Sequence, residues 1–425
     1  MKGFKGFFLF LFLITTVLSA QQSQRSLSLI TVYPGDAIYS TFGHTAFRYV
    51  DQAKGIDRLY NYGTFDFRDP DFIPKFVRGQ LDYFLGVVYF KQEYKNYTLL
   101  ENRTVVEQKL NLTPDEITQV VYFLTENALP ENRFYKYDFI KDNCSTRIQS
   151  VLDKTLGSDI MYDQAVIAKI GEYSYRDYIR YHLRKSPWFD AGIQLVLGMP
   201  LDQQVLPSGS FFLPALVYTI IAGSTLSDGR PLVSSDEVLY RSTSDPIFDP
   251  LSDLSNKPIK ISPPLLLAAI LLAAEMGFIY LGCIRKKNWA KKTLNYYEYT
   301  LVFFNFLAGL LIFYLWFISD HTATKWNLNL LWCSPLSLIF LITFFMKDHK
   351  LLNCFSVFMA AMGVIFLLIL FVGLQATCGA LILLLVLYII LFGRRLFLLF
   401  FNGETTASVI IDVDVIDGDT RNTSL

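Results

Sequence analysis

Of the five cysteines in this 425-residue chain, only Cys144 lies outside the strongly apolar C-terminal third. It sits in FIKDNCSTRIQSVLD, residues 139 to 153, where Ile148, Val151, Leu152 and Leu156 recur at helical spacing and Gly157 follows as a stop. Asp142 or Asn143 is placed to cap this helix, so Cys144 falls in its first turn. Free N–H groups and the helix dipole favour an anion there, and a thiol pKa of about 8.5 can drop to roughly 3.5–7.5. The expectation is a nucleophilic thiolate; the competing reading is a structural thiol packed against a sheet. Cys283, Cys333, Cys354 and Cys378 read as small hydrophobes of apolar helices, which leaves Cys144 without an evident disulfide partner.

A thiolate needs a base, and the part of the chain before the apolar third offers His44 and His182. His182 shares a helical face with Tyr175, Tyr178 and Ile179 and reads as a packing residue. His44 follows Phe42-Gly43 at the start of a strand, where the glycine admits a close neighbour. HTAFRYV (44–50) and RLYNYGTF (58–65) read as a hairpin around the turn DQAKGID. A symmetric turn sets His44 opposite Thr64, with Tyr62 and Asp66 on its face, and Asp66 would then hold the imidazole tautomer that a base needs. A one-residue slip brings up Asn61 and Phe65 instead. No His/Cys/Asp cluster has metal-ligand spacing, and no cofactor is expected.

The elements that must hold these groups form an α+β domain. LSLITVY (27–33) and RTVVEQKL (103–110) read as further strands, and Thr113-Pro114-Asp115-Glu116 has capping-box spacing for a helix to about Asn127.

The chain begins as a secretory signal peptide: Lys2 and Lys5, an apolar run from Phe7 to Leu18, then Ser19-Ala20, with cleavage expected after Ala20. Apolar runs at 264–283, 299–318, 328–346, 352–374 and 376–393 predict five transmembrane helices. Basic residues after the first (Arg285 to Lys292), third (Lys347, Lys350) and fifth (Arg394, Arg395) put those loops in the cytoplasm, and the domain before them outside. The expected division is a signal peptide (1–20), a periplasmic Cys-His domain (21–205), an interfacial connector (206–262), a membrane bundle (263–396) and a cytoplasmic tail (397–425). Within the connector, SGSFFLPALVYTIIAGSTL (208–226) is apolar but too short to span; it either dips into the interface or is buried core. Glu275, inside the first span, lines a groove or pairs with Asn305. In the external loop SDHTATKWN, Trp326 is expected at headgroup depth with His321 and Lys325 near phosphate, unless the loop is a plain anchor. Equal numbers of basic and acidic residues, 38 each, with no dense basic cluster, argue against nucleic acid as a partner.

A histidine on an early strand followed by a cysteine at a helix start resembles the permuted papain-like thiol enzymes of the NlpC/P60 and lecithin:retinol acyltransferase type. Their Asn-Cys motif looks like Asn143-Cys144. More specifically, FGHTAF (42–47), NYGTFDF (61–67), FVRGQLDY (76–83) and YDFIKDNCSTR (137–147) resemble the periplasmic domain of the Lnb lipoprotein N-acyltransferases, and HTATKWNLNLLWCSPL (321–336) resembles their membrane part. The resemblance implies an inner-membrane enzyme that moves an acyl chain from a phospholipid to the α-amine of a diacylated lipoprotein. Cys144 would be the nucleophile and His44 the base; the family's motif supplies no third residue. Asn143, Tyr62, His321, Lys325 and Trp326 are the expected substrate contacts. The alternatives are a cysteine hydrolase of cell-wall peptide or lipid ester, and a non-catalytic membrane-tethered binding module.

Overall fold

The computed structural model describes residues 25–243, 251, 254, 261–346 and 349–401. The expected signal peptide and the tail beyond residue 401 lie outside them. The chain forms two compact units: Met1–Lys185 with Gln203–Pro258 and Asp320–Ala323, and Ser186–Asp202 with Ile259–Ser319 and Thr324–Leu425.

The first unit is built on one antiparallel sheet. Its strands are β1 (Arg25–Val32), β2 (His44–Asp51), β3 (Ile56–Thr64), β4 (Asp82–Tyr89), β5 (Val105–Leu110), β6 (Phe134–Lys136) and an edge strand Val233–Tyr240, in the order β6-β4-β3-β2-β1-β5 and then the edge strand. Both faces are covered, which is why the last six residues of β1 are all buried. On one face Ile30, Val32, Ala46, Leu59 and Val105 pack with Phe90 and Tyr97. On the other lie the capping-box helix Pro114–Asn127, the cysteine helix Cys144–Thr155 and the helix Pro214–Gly223, whose Ala215 packs on Val106.

The expected interfacial connector is therefore corrected. Phe211, Phe212, Leu216, Val217, Ile220 and Ile221 are all buried within the first unit, and Val233–Tyr240 extends its sheet. An apolar stretch with no polar face cannot sit half in water; here neighbouring elements bury most of it, leaving Tyr218 and Thr219 half-buried.

The second unit is helical, with apolar helices Pro263–Ile279, Asn288–Phe317, Ser337–Met346, His349–Phe371 and Gly379–Phe401. Among the described residues three are long and apolar enough to cross a membrane, at Pro263–Ile284, Asn288–Phe317 and Lys350–Phe371, where five were expected. The predicted third span is broken: 328–331 forms a short 3-10 turn, and the ten-residue helix after it is about 15 Å long against a hydrocarbon core of about 30 Å. Glu275 does not pair with Asn305, which instead binds Ser337 Oγ and the Trp332 carbonyl. Glu275 is fully buried beside Glu298, and Glu298 holds Arg394 at 2.6 Å, so one of the cations counted for topology is buried in an ion pair.

Candidate active site

Cys144 is the first residue of its helix, and Asn143 rather than Asp142 is the cap. Asn143 Oδ1 accepts from the N–H groups of Ser145 and Thr146, at 2.8 and 3.0 Å, and its Nδ2 donates to the carbonyls of Phe139 and Phe212. Every hydrogen-bonding valence of the amide is used inside the fold. Asn143 is thus a structural clamp, and the substrate contact expected of it is not what its geometry provides. Asp142 pairs with Arg147.

The β2–β3 ladder runs from Asp51–Ile56 to Phe47–Tyr60 and stops. Beyond it the two strands part, and Gly43 enters β2 at φ +81°, where a Cβ would meet the Val32 carbonyl at 2.8 Å. The thiol lies in this opening. It lies 3.9 Å from Ser145 Oγ, with the backbone N–H groups of Thr45 and of its own helix start nearby. Gly63, opposite His44 if the ladder register is continued, adopts φ +86° and turns its bare face to Cys144: a Cβ there would sit 3.6 Å from the Cys144 Cβ. The cysteine helix packs on β2 and β3 from one face of the sheet, while His44 lies on the face of Ala46, with its ring 6.5 Å from that of Tyr97.

His44 Nε2 lies 3.2 Å from Asn61 Oδ1. With Nε2–H donated to that oxygen, Nδ1 carries the free lone pair of a base. Asn61 thus fills the place expected of Asp66. The actual register is one residue from the symmetric one, which turns Tyr62 and its face to the other side of the sheet. Asp66 is exposed and held near pKa 2 by Arg68, whose guanidinium it binds at 2.8 Å. Tyr62 is buried, with the Arg147 guanidinium 5.8 Å from its ring centre.

Burial opposes ionisation of both partners. Protein atoms packed around His44 lower its pKa to about 4, and burial raises that of Cys144. The low thiol pKa expected from the helix start is overturned: desolvation outweighs the N–H groups, and the pair rests as neutral thiol and neutral imidazole. His182 is also buried, near pKa 4, with Nδ1 2.8 Å from the Tyr178 carbonyl and its ring packed on Phe42.

The loop residues take other parts. His321 Nε2 lies 3.0 Å from the Phe76 carbonyl within the first unit. In the second unit Lys325 donates to the carbonyls of Trp316 and Ser319, closing the C-terminal end of helix Asn288–Phe317. Two of its three N–H donors are engaged in that cap. Trp326 is 64% exposed beside Trp316.

A sheet-rich domain with a buried thiol at a helix start, followed by apolar helices of spanning length, defines a membrane protein carrying a candidate thiol site. Residues 18–181 match the family model of the Lnb N-terminal periplasmic domain, and residues 256–401 that of the Lnb transmembrane domain. The chain belongs to the Lnb family, as a membrane protein with a periplasmic N-terminal domain. No curated protein and no solved structure matches it, so the permuted papain-like topology has no solved relative to rest on.

Proposed function

We propose that the protein is a lipoprotein N-acyltransferase of the bacterial inner membrane. What supports this reading is Cys144 at the start of its helix, with the bare α-carbon of Gly63 beside it, and the Asn61-oriented His44 at the strand position facing Gly63 when the β2–β3 register is continued. His44 Nδ1 takes the thiol proton as sulfur attacks the ester carbonyl of a phospholipid. The tetrahedral adduct collapses, the imidazolium returns the proton to the departing alkoxide, and a lysophospholipid leaves behind a Cys144 thioester. The α-amine of a diacylated lipoprotein then attacks the thioester, the thiolate leaves, and the proton lost by the amine returns to sulfur through His44.

The burial of Cys144, 8% exposed, favours transfer over the hydrolase reading. A thioester held away from bulk water waits for an amine that is itself delivered from the membrane surface. No cofactor enters this cycle. The test is mass spectrometry of lipoprotein N-terminal peptides from cells carrying the wild-type or the Cys144→Ala chain. Diacylated peptides are expected to accumulate with the variant, and full triacylation by Cys144→Ala would sink the mechanism.

A further inference from the structure

The adduct formed on Cys144 places a negative charge on the former carbonyl oxygen, and such charge is stabilised by fixed donors about 2.7–3.1 Å away. Two obvious donors, the N–H groups of Ser145 and Thr146, are already bound by Asn143. The backbone N–H groups of Cys144 and Thr45 also lie near the thiol.

A side-chain donor stands beside them. The Tyr135 hydroxyl is buried; its oxygen faces the Gly63 N–H, and its own O–H finds no acceptor among the described residues. It lies 3.9 Å from the point where a Gly63 Cβ would be, and the Cys144 Cβ lies 3.6 Å from that same point. The bare α-carbon of Gly63 leaves this space open between hydroxyl and thiol. The ring is fixed: the Arg147 guanidinium stacks 4.0 Å from its centre, Tyr62 packs edge-on at 6.2 Å, and the β6 backbone pairs with β4. Burial raises the phenol pKa, so the group stays a donor across the working range. A buried O–H without an acceptor is costly, and that cost is recovered when a substrate oxygen completes the bond.

We infer that Tyr135 is a catalytic residue that donates its hydroxyl to the oxyanion of the acyl adduct on Cys144. This rests on the acyltransferase reading and adds the group that stabilises its charged intermediate. It predicts a split between two reactions of one thiol. Attack on an ester builds an oxyanion, whereas alkylation by iodoacetamide displaces iodide and builds none.

The experiment uses the full-length chain in detergent with Tyr135→Phe, which removes only the hydroxyl. Transfer of an acyl chain from phospholipid to a diacylated lipopeptide is expected to fall roughly 10²–10³-fold in kcat with KM little changed. Iodoacetamide labelling of the Cys144 peptide at alkaline pH should keep its wild-type rate. Wild-type transfer by Tyr135→Phe overturns the assignment. Parallel loss of transfer and labelling also overturns it, because the tyrosine would then only shape the thiol's surroundings. Failure of the acyltransferase reading itself looks different: wild-type protein shows no transfer while Cys144 still labels.

Discussion

Cys144 and His44 rest uncharged because each would have to ionise among protein atoms, and the few N–H groups at the helix start do not outweigh that cost. Proton transfer is then coupled to ester attack, and Asn61 gains importance because it selects the ring nitrogen that faces the reaction. Asn61→Ala should lower kcat for transfer at least tenfold by freeing the tautomer, and Asp66→Asn should behave as wild type, since Asp66 binds only Arg68 in solvent. The reverse ranking in the lipopeptide transfer assay would return Asp66 to the site and remove Asn61.

The element that positions the thiol is a capped helix, and its cap is tied at both ends of the amide. At most helix starts Asp and Asn cap about equally well. Here Asn143→Asp would keep an acceptor for Ser145 and Thr146 while aiming a carboxylate at the carbonyls of Phe139 and Phe212, now without donors. Asn143→Asp should therefore destabilise the protein by about 1–3 kcal/mol, more than the few tenths usual for that exchange. Thermal unfolding of the full-length protein in detergent measures this, and an unchanged midpoint would mean that the two carbonyl bonds contribute nothing.

At the scale of the molecule, two desolvated histidines of the first unit, half-buried His44 and buried His182, link its stability to pH. Both folded pKa values, about 4, lie below the ordinary 6.5. The unfolded chain therefore binds protons more readily than the folded one. Their stabilising contribution is complete above pH 6.5, declines as pH falls towards 4, and is lost below it. Each shift corresponds to roughly 3 kcal/mol. Denaturation midpoints of the full-length protein should drop through that window with an uptake approaching two protons; a flat profile from pH 6.5 to 4 would contradict the burial of these rings.

What sequence alone determined was local and periodic. The Thr113 capping box, the cysteine at a helix start and the glycine before His44 follow from short-range chemistry, and all are present. The two-unit character follows from composition, because apolar runs of spanning length have few other ways to satisfy their backbone. The third site residue was legible only as a choice between registers. Asp66 or Asn61 beside His44 depends on one residue of slip, and the 3-10 turn at Gln52–Lys54 with Gly55 in the left-handed region decides it. Val233–Tyr240 carries few apolar residues because it is an exposed edge, so its strand pattern was faint, and its place beside β5 is a long-range pairing. The state of the thiol also belongs to tertiary structure: a helix start favours the anion, but only the packing of sheet and helices around Cys144 sets the desolvation that overrides it.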